Sequence, residues 1–195
     1  TLYRSDQSTS AIRTFHTKAA NCLSYTNLFV TLAREVGLDA RIQIVDVPPA
    51  WNLQDTFFVR SNHVNAVVHV RSNLYPNDEV TIDFNEVRVH EDYERRLVSD
   101  RFSKSLFFSN RAIEALNQGA LREAFAYQKR AILLEPGNAD YWTNLAVLYN
   151  TGGLDEPAAD AYVHALRLDP ASDAPLSGLA GIYRANGDLE RAAIL

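Results

Sequence analysis

The sequence predicts an α+β domain followed by an all-α solenoid of paired helices. Three observations carry this. The C-terminal half superimposes on itself when shifted by 34 residues, the N-terminal half holds one helical run followed by alternating strands, and the two halves share no periodicity. The chain has 195 residues, 47% apolar and 22% charged, which is enough for two small domains, each with its own core. The predicted division is residues 1–95, a connector over 96–104, and repeats over 105–195, split as 105–138, 139–172 and an incomplete 173–195.

The N-terminal elements follow in order. The run Cys22 to Val36 is a helix on the spacing of Leu28, Leu32 and Val36, with Gly37 closing it. Ala40 to Val47 is a strand ended by Pro48 and Pro49, and the segment 50–61, which contains Trp51, is a loop. From His63 to Val70 the alternation is explicit. Val64, Ala66, Val68 and Val70 share one face, and His63, Asn65, Val67 and His69 the other. The turn-prone Tyr75-Pro76-Asn77-Asp78 leads to a strand over Glu79 to Asn85, which places Thr81 and Asp83 on one face. A hairpin of these strands brings Asp83 beside His63. The mixed charges from Arg88 to Arg101 predict a solvated connector.

In the second half, Ala112, Ala146 and Ala180 come into register, as do Gly119, Gly153 and Gly187, then Ala124, Ala158 and Ala192. Pro136 aligns with Pro170, Phe108 with Trp142 and Leu176, and Tyr149 with Tyr183. Small alanines belong where helices cross closely, glycine in the turn between them, and proline after the second helix. Helices are therefore predicted over 106–118, 121–135, 139–151, 155–168, 173–185 and from 188 onward. These residues resemble the tetratricopeptide family over about 90 positions. Arg111 and Ala115 stand where that family has leucine and a large aromatic, so the first pair is predicted to be adapted to what precedes it. Leu176, Leu179, Ile182 and Leu189 are predicted to lack a covering helix, so that either the natural chain continues, the favoured expectation, or another molecule covers that face. The concave face of such a solenoid serves either as scaffold or for binding a protein or peptide. Its candidate contacts are Asn110, Thr143, Asn144, Asn150 and Arg184, a polar set unlike a basic clamp for acidic tails.

A net charge of -5 and a pI near 5.5 argue against nucleic acid as a partner, since phosphate binding needs a basic surface. No apolar stretch approaches the ~20 residues of a membrane span. The chain begins at Thr1, and the expectation is that a natural N-terminus, with any signal or anchor, has been cut away. The one cysteine, Cys22, excludes an internal disulfide and leaves a buried thiol, a reactive thiol or an intermolecular link.

Cys22 opens a helix, where the aligned peptide dipoles and free amides favour a thiolate. A histidine on one strand can pair with that thiolate and protonate a leaving group, and an aspartate on the next can fix its ring. Cys22, His63 and Asp83 occur in this order. The stretches Asn21-Cys22-Leu23-Ser24-Tyr25-Thr26-Asn27-Leu28-Phe29, Ala33-Arg34-Glu35-Val36-Gly37-Leu38-Asp39-Ala40-Arg41, Asn62-His63-Val64-Asn65-Ala66-Val67-Val68 and Thr81-Ile82-Asp83-Phe84 resemble the transglutaminase-like superfamily over roughly residues 8–90. The chain departs from that pattern with Ala20 in place of glycine before the cysteine and Asn65 in place of tryptophan after the histidine.

The resemblance implies Cys22, His63 and Asp83 as catalytic residues. The backbone amide of Cys22, with Asn21 or a residue preceding Thr1, is a candidate oxyanion donor. Trp51 either lines an acyl pocket or is a hydrophobic anchor, and Asn65 is a further pocket candidate. The implied activity is a cysteine peptidase or amidase, or an acyltransferase, acting on an amide or isopeptide bond through a thioester and needing no cofactor or metal. A zinc site from Cys22, His63 and His69 is conceivable but disfavoured, because i and i+6 on one strand are too extended to share an ion. The alternative is a non-catalytic repeat adaptor carrying an inactive transglutaminase-like domain. Similar two-part chains are bacterial and often exported, so the resemblance also implies an extracytoplasmic setting, periplasmic or lipid-anchored.

Overall fold

The computed structural model describes residues 2–3, 7–47, 63–70, 78–84 and 92–194. The chain divides into two compact units, residues 1–103 and 104–195.

The first unit begins with β1 (Leu2–Tyr3), α1 (Ala11–Thr17) and β2 (Ala19–Ala20), the two short strands pairing in parallel. α2 (Cys22–Glu35) follows, then β3 (Asp39–Val45), β4 (His63–Val70), β5 (Asp78–Ile82) and β6 (Arg95–Val98). The four longer strands form one antiparallel sheet in the order β5-β4-β3-β6. β4 has the predicted bounds. The segment 96–104, predicted to be a solvated connector, instead contributes most of an edge strand and the start of the next helix. β6 pairs Val98 with Ile42 and Leu97 with Gln43, and its Arg95 and Arg96 stay exposed, which suits an edge.

α2 packs on β3 and β4, but not through the predicted stripe. Its buried residues include Leu23, Thr26, Val30 and Ala33, whereas Leu32 is half exposed and Val36 is 75% exposed. At 100° per residue these two sets lie on opposite sides of the helix. The polar Thr26 and the small Ala33 hide the true core stripe. On the sheet, Ala40, Ile42, Ile44, Val64, Ala66 and Val68 are buried on one face, and Val45, His63, Asn65 and Val67 on the other. Phe84, just past β5, meets Tyr25 and Phe29 of α2 with ring centroids 5.8 Å apart in each case.

The second unit is built from α3 (Asp100–Asn117), whose first turn belongs to the first unit, with α4 (Leu121–Leu134), α5 (Ala139–Thr151), α6 (Asp155–Leu168), α7 (Asp173–Ala185) and α8 (Leu189–Ile194). Gly119, Gly153 and Gly187 sit at φ of 74°, 71° and 78°. Each ends its helix the same way. The glycine N–H donates to the carbonyl three residues back, and the next residue's N–H to the one five back, as in Ala120 to Ala115, Leu154 to Tyr149 and Asp188 to Tyr183. Only glycine takes this left-handed conformation without a Cβ penalty, so the 34-residue glycine register is a register of turns. Ala112, Ala124, Ala146, Ala158 and Ala165 are fully buried at the crossings.

The third pair corrects one expectation. Leu179 and Ile182 are buried, packed with Ala146, Ala158, Ala161 and Tyr162 of the preceding pair, so they have their cover. Leu176 is half buried, and Leu189 is 65% exposed.

Candidate functional site

Cys22 is the first residue of α2, and a set of buried polar groups fixes that helix start. Asn21 is the N-cap. Its Oδ1 accepts from the Ser24 amide at 3.0 Å and the Ser24 hydroxyl at 2.8 Å, and its Nδ2 donates to Ser8 Oγ at 2.7 Å. The Thr9 amide donates to Ser24 Oγ at 2.9 Å, and the Thr9 and Thr14 hydroxyls lie 2.6 Å apart. A side-chain acceptor at this position satisfies one of the unpaired amides of a helix start. The segment 7–10 is thereby tied to the residue before the cysteine. Cys22 itself is partly exposed and forms no disulfide.

His63 opens β4 and is 6% exposed. Its Nε2 lies 2.6 Å from Asp83 Oδ2, the pairing expected of the β4–β5 hairpin. With Nε2 so engaged, Nδ1 is the ring nitrogen left to meet a thiol.

The topology brings Cys22 and His63 to the same end of the unit. α2 turns at Gly37 directly into β3, which runs back along it, and β4 reverses again, so α2 and β4 run the same way. The Thr26 hydroxyl donates to the Val64 carbonyl at 3.3 Å. From that contact Cys22 is one helical turn back, roughly 6 Å, and His63 is one strand residue back, about 3.3 Å.

On the face carrying His63, the next residue along is Asn65, 2% exposed and opposite Gln43 of β3. Further along, His69 Nε2 lies 2.7 Å from Glu79 and its Nδ1 3.8 Å from Asp39. Burial pushes the Tyr25 phenol above its ordinary value, which keeps it neutral. Among the described residues no group of three His, Cys, Asp or Glu side chains could hold a metal ion. Trp51 lies outside the described residues.

Of the repeat positions, Asn110, Asn150 and Arg184 are exposed. Thr143 is buried with its hydroxyl on the Ala139 carbonyl, so it serves packing rather than the surface. Asn144 is half buried and donates to Ser109 Oγ at 3.1 Å. A shallow hollow of about 440 Å³ lies between α5 and α6, lined in part by Trp142, Tyr149, Asp160, His164 and Arg167. There the Trp142 and His164 rings approach to 4.0 Å.

A sequence model of the transglutaminase-like superfamily matches residues 2–79, and one of the tetratricopeptide repeat matches residues 139–172. The chain joins a transglutaminase-like domain to tetratricopeptide repeats. The first match spans Cys22 and His63 and stops short of Asp83. Among curated proteins the chain is 26% identical over 104 residues to the Photosystem I assembly protein Ycf3 of Prochlorococcus marinus subsp. pastoris. That alignment covers 48% of this chain and 60% of the relative. Similar solved structures include MamA (TM-score 0.45, 18% identity, 48% of this chain and 54% of that one). They also include the second repeat domain of Spaghetti, RPAP3, bound to an HSP90 peptide (0.45, 19%, 48% and 86%) and the Arabidopsis OM64 repeat domain (0.46, 17%, 48% and 78%). No helix among the described residues is long and apolar enough to cross a membrane.

Proposed function

We propose that the chain is a protein-binding adaptor whose tetratricopeptide repeats hold a protein or peptide partner. The observation that carries this reading is the three-pair stack in 34-residue register, which leaves Asn110, Asn150 and Arg184 exposed on successive first helices. Stacked helix pairs form an extended surface suited to an extended ligand. The repeats present amides and little positive charge, which fits a polar, near-neutral segment. A peptide-array screen on the whole chain, followed by anisotropy titration, tests this. Asn150→Ala and Arg184→Ala are each expected to weaken the selected peptide about tenfold or less, and jointly more. Binding that ignores both changes but is lost when α6 is altered would sink the assignment of this face.

A second reading is favoured by one specific contact, the 2.6 Å pairing of His63 and Asp83 at the end of the unit where α2 begins. In it Cys22 attacks an amide, peptide or isopeptide carbonyl. His63 takes the thiol proton through Nδ1 and gives it to the leaving amine, while Asp83 holds the ring. Water or an amine then resolves the thioester, and the repeats present the substrate. Asn21 caps the nucleophile's helix, and in this reading the Cys22 amide is one oxyanion donor, with Asn21 or a residue preceding Thr1 as a second.

Alkylation of Cys22 across pH separates the two readings. An activated thiol reacts well below pH 8, and His63→Ala returns it to ordinary cysteine behaviour near pH 8.5. Asp83→Asn is expected to lower turnover roughly 10² to 10⁴-fold with the fold intact. Identical alkylation profiles in wild type and His63→Ala leave the adaptor role alone.

A further inference from the structure

The hollow between α5 and α6 takes part in neither reading above. It is lined by Trp142, Tyr149 and their neighbours on α5 and by a stripe of α6. Tyr149 and Asn150 are consecutive, so the side of α5 that faces the hollow is turned about 100° from the side carrying Asn150. On α6, Asp160, His164 and Arg167 follow at spacings of four and three, which sets them above one another on one face. Asp160 and Arg167 are exposed, and among the described residues neither has an ion-pair partner. They stand nearly two helical turns apart, about 10 Å along the axis. Midway between them His164 lies against Trp142, ring centroids 4.0 Å apart, with Val163 beside it in the hollow's lining. Such a stripe is complementary to itself when reversed. Laid antiparallel on its own copy, it sets acid against base at both ends and apolar groups at the centre, whereas a parallel copy sets like charge on like.

We propose that the α6 stripe is a homodimer contact, with a second copy's α6 lying antiparallel across the hollow about a two-fold axis. Asp160 of each copy then meets Arg167 of the other, and the axis passes between Val163 and His164. The contact is isologous, so every favourable pair occurs twice. Side chains at the axis enter the two hollows, where Trp142 and Tyr149 cover them and water leaves the rings. Self-complementarity is what selects a second copy as the occupant, because the charges that α6 requires of its partner are the charges α6 itself carries. One helix pair with flanking rings stands at the small end of stable interfaces, which bury upward of about 1,000 Å². A weak dimer is therefore expected, half dissociated at roughly 10–100 μM. The contact requires neither the peptide face nor thiol chemistry. It keeps the Asn150 side of both copies open, and so offers a partner two repeat surfaces at once.

Sedimentation equilibrium on the full chain, from about 1 to 500 μM, tests this. The wild type is expected to pass from monomer to dimer across that range. Asp160→Arg and Arg167→Asp each turn two attractive pairs into two repulsive ones, and each should weaken the dimer at least about tenfold. The doubly changed chain restores acid against base in the opposite sense and should return to within about threefold of wild type. An equimolar mixture of the two singly changed chains should dimerise across chains although neither does so alone. Both positions are exposed, so melting temperatures should hold, which separates lost contact from lost fold. A wild type that stays monomeric at ~500 μM overturns the proposal and leaves the hollow to a foreign segment or to none. A dimer indifferent to both single changes overturns it as well, since the contact then lies elsewhere. Weakening by the single changes without recovery in the doubly changed chain or in the mixture rules out the antiparallel pairing.

Discussion

The two units place their buried hydroxyls and amides in opposite ways. In the first, Ser8, Thr9, Asn21 and Ser24 converge on a single helix start, the one that carries Cys22. In the second they are strung between helices. Ser105 meets the Tyr141 hydroxyl at 2.7 Å, Gln128 Nε2 donates to the Tyr141 carbonyl at 2.7 Å, and Asn144 reaches Ser109. Gln128 occupies the slot that Tyr162 fills one repeat later, and Asn144 the slot of Gly178. The later junction lays the Tyr162 ring over Gly178, where a Cβ would run into the ring, while the earlier one links two amides through Ser109. Polar burial in the first unit thus organises one point, and in the second it tunes how one helix pair registers on the next.

Four changes can break or sharpen this contrast. The largest effect is expected of Asn21→Ala, which removes a cap and strands Ser8 and Ser24. A loss of roughly 2–4 kcal/mol in chemical denaturation is expected, and a loss under 0.5 would mean the convergence is incidental. Gln128→Leu restores an apolar residue of similar volume but leaves the Tyr141 carbonyl without its donor. About 1–3 kcal/mol is expected in the same measurement; a neutral or stabilising result would make the amide junction dispensable. Gly178→Ala gains helix propensity of about 1 kcal/mol but overpacks against Tyr162. A net loss of ~1–2 kcal/mol is expected, whereas a gain would show that the ring yields freely.

The smallest effect concerns alkaline pH. Burial raises the Tyr162 phenol above its unfolded value near 10. The neutral form is therefore favoured by folding, and its contribution, complete below pH 10, is lost as pH rises through the shifted value. Tyr162→Phe should flatten the fall in stability above about pH 10 in denaturation midpoints. An unchanged slope would point away from the packed ring.

Local signals were the legible ones. The helices of the repeats, their glycine turns and the whole of β4 follow from spacing, because a turn or a pleat is set by neighbours in the chain. The His63–Asp83 pairing was legible too, since one hairpin contains it. What escaped was non-local or disguised. β6 pairs with a strand some fifty positions earlier, and its Arg95-Arg96 start reads as surface. α1 leaves Ile12 and Phe15 exposed and so has no apolar stripe to betray it. The core face of α2 was misassigned because Thr26 turns its polar atom to a strand carbonyl rather than to water.

One consequence concerns the separate anchorage of Cys22 and His63. The cysteine's helix start is held by residues 8, 9 and 21 to 24, whereas the imidazole pairs with Asp83, just past β5. A lineage could therefore retune or lose thiol chemistry by substitutions around the helix start while the histidine kept its bearing. A reactive domain and a retired one could then differ by only a few changes on an unchanged frame.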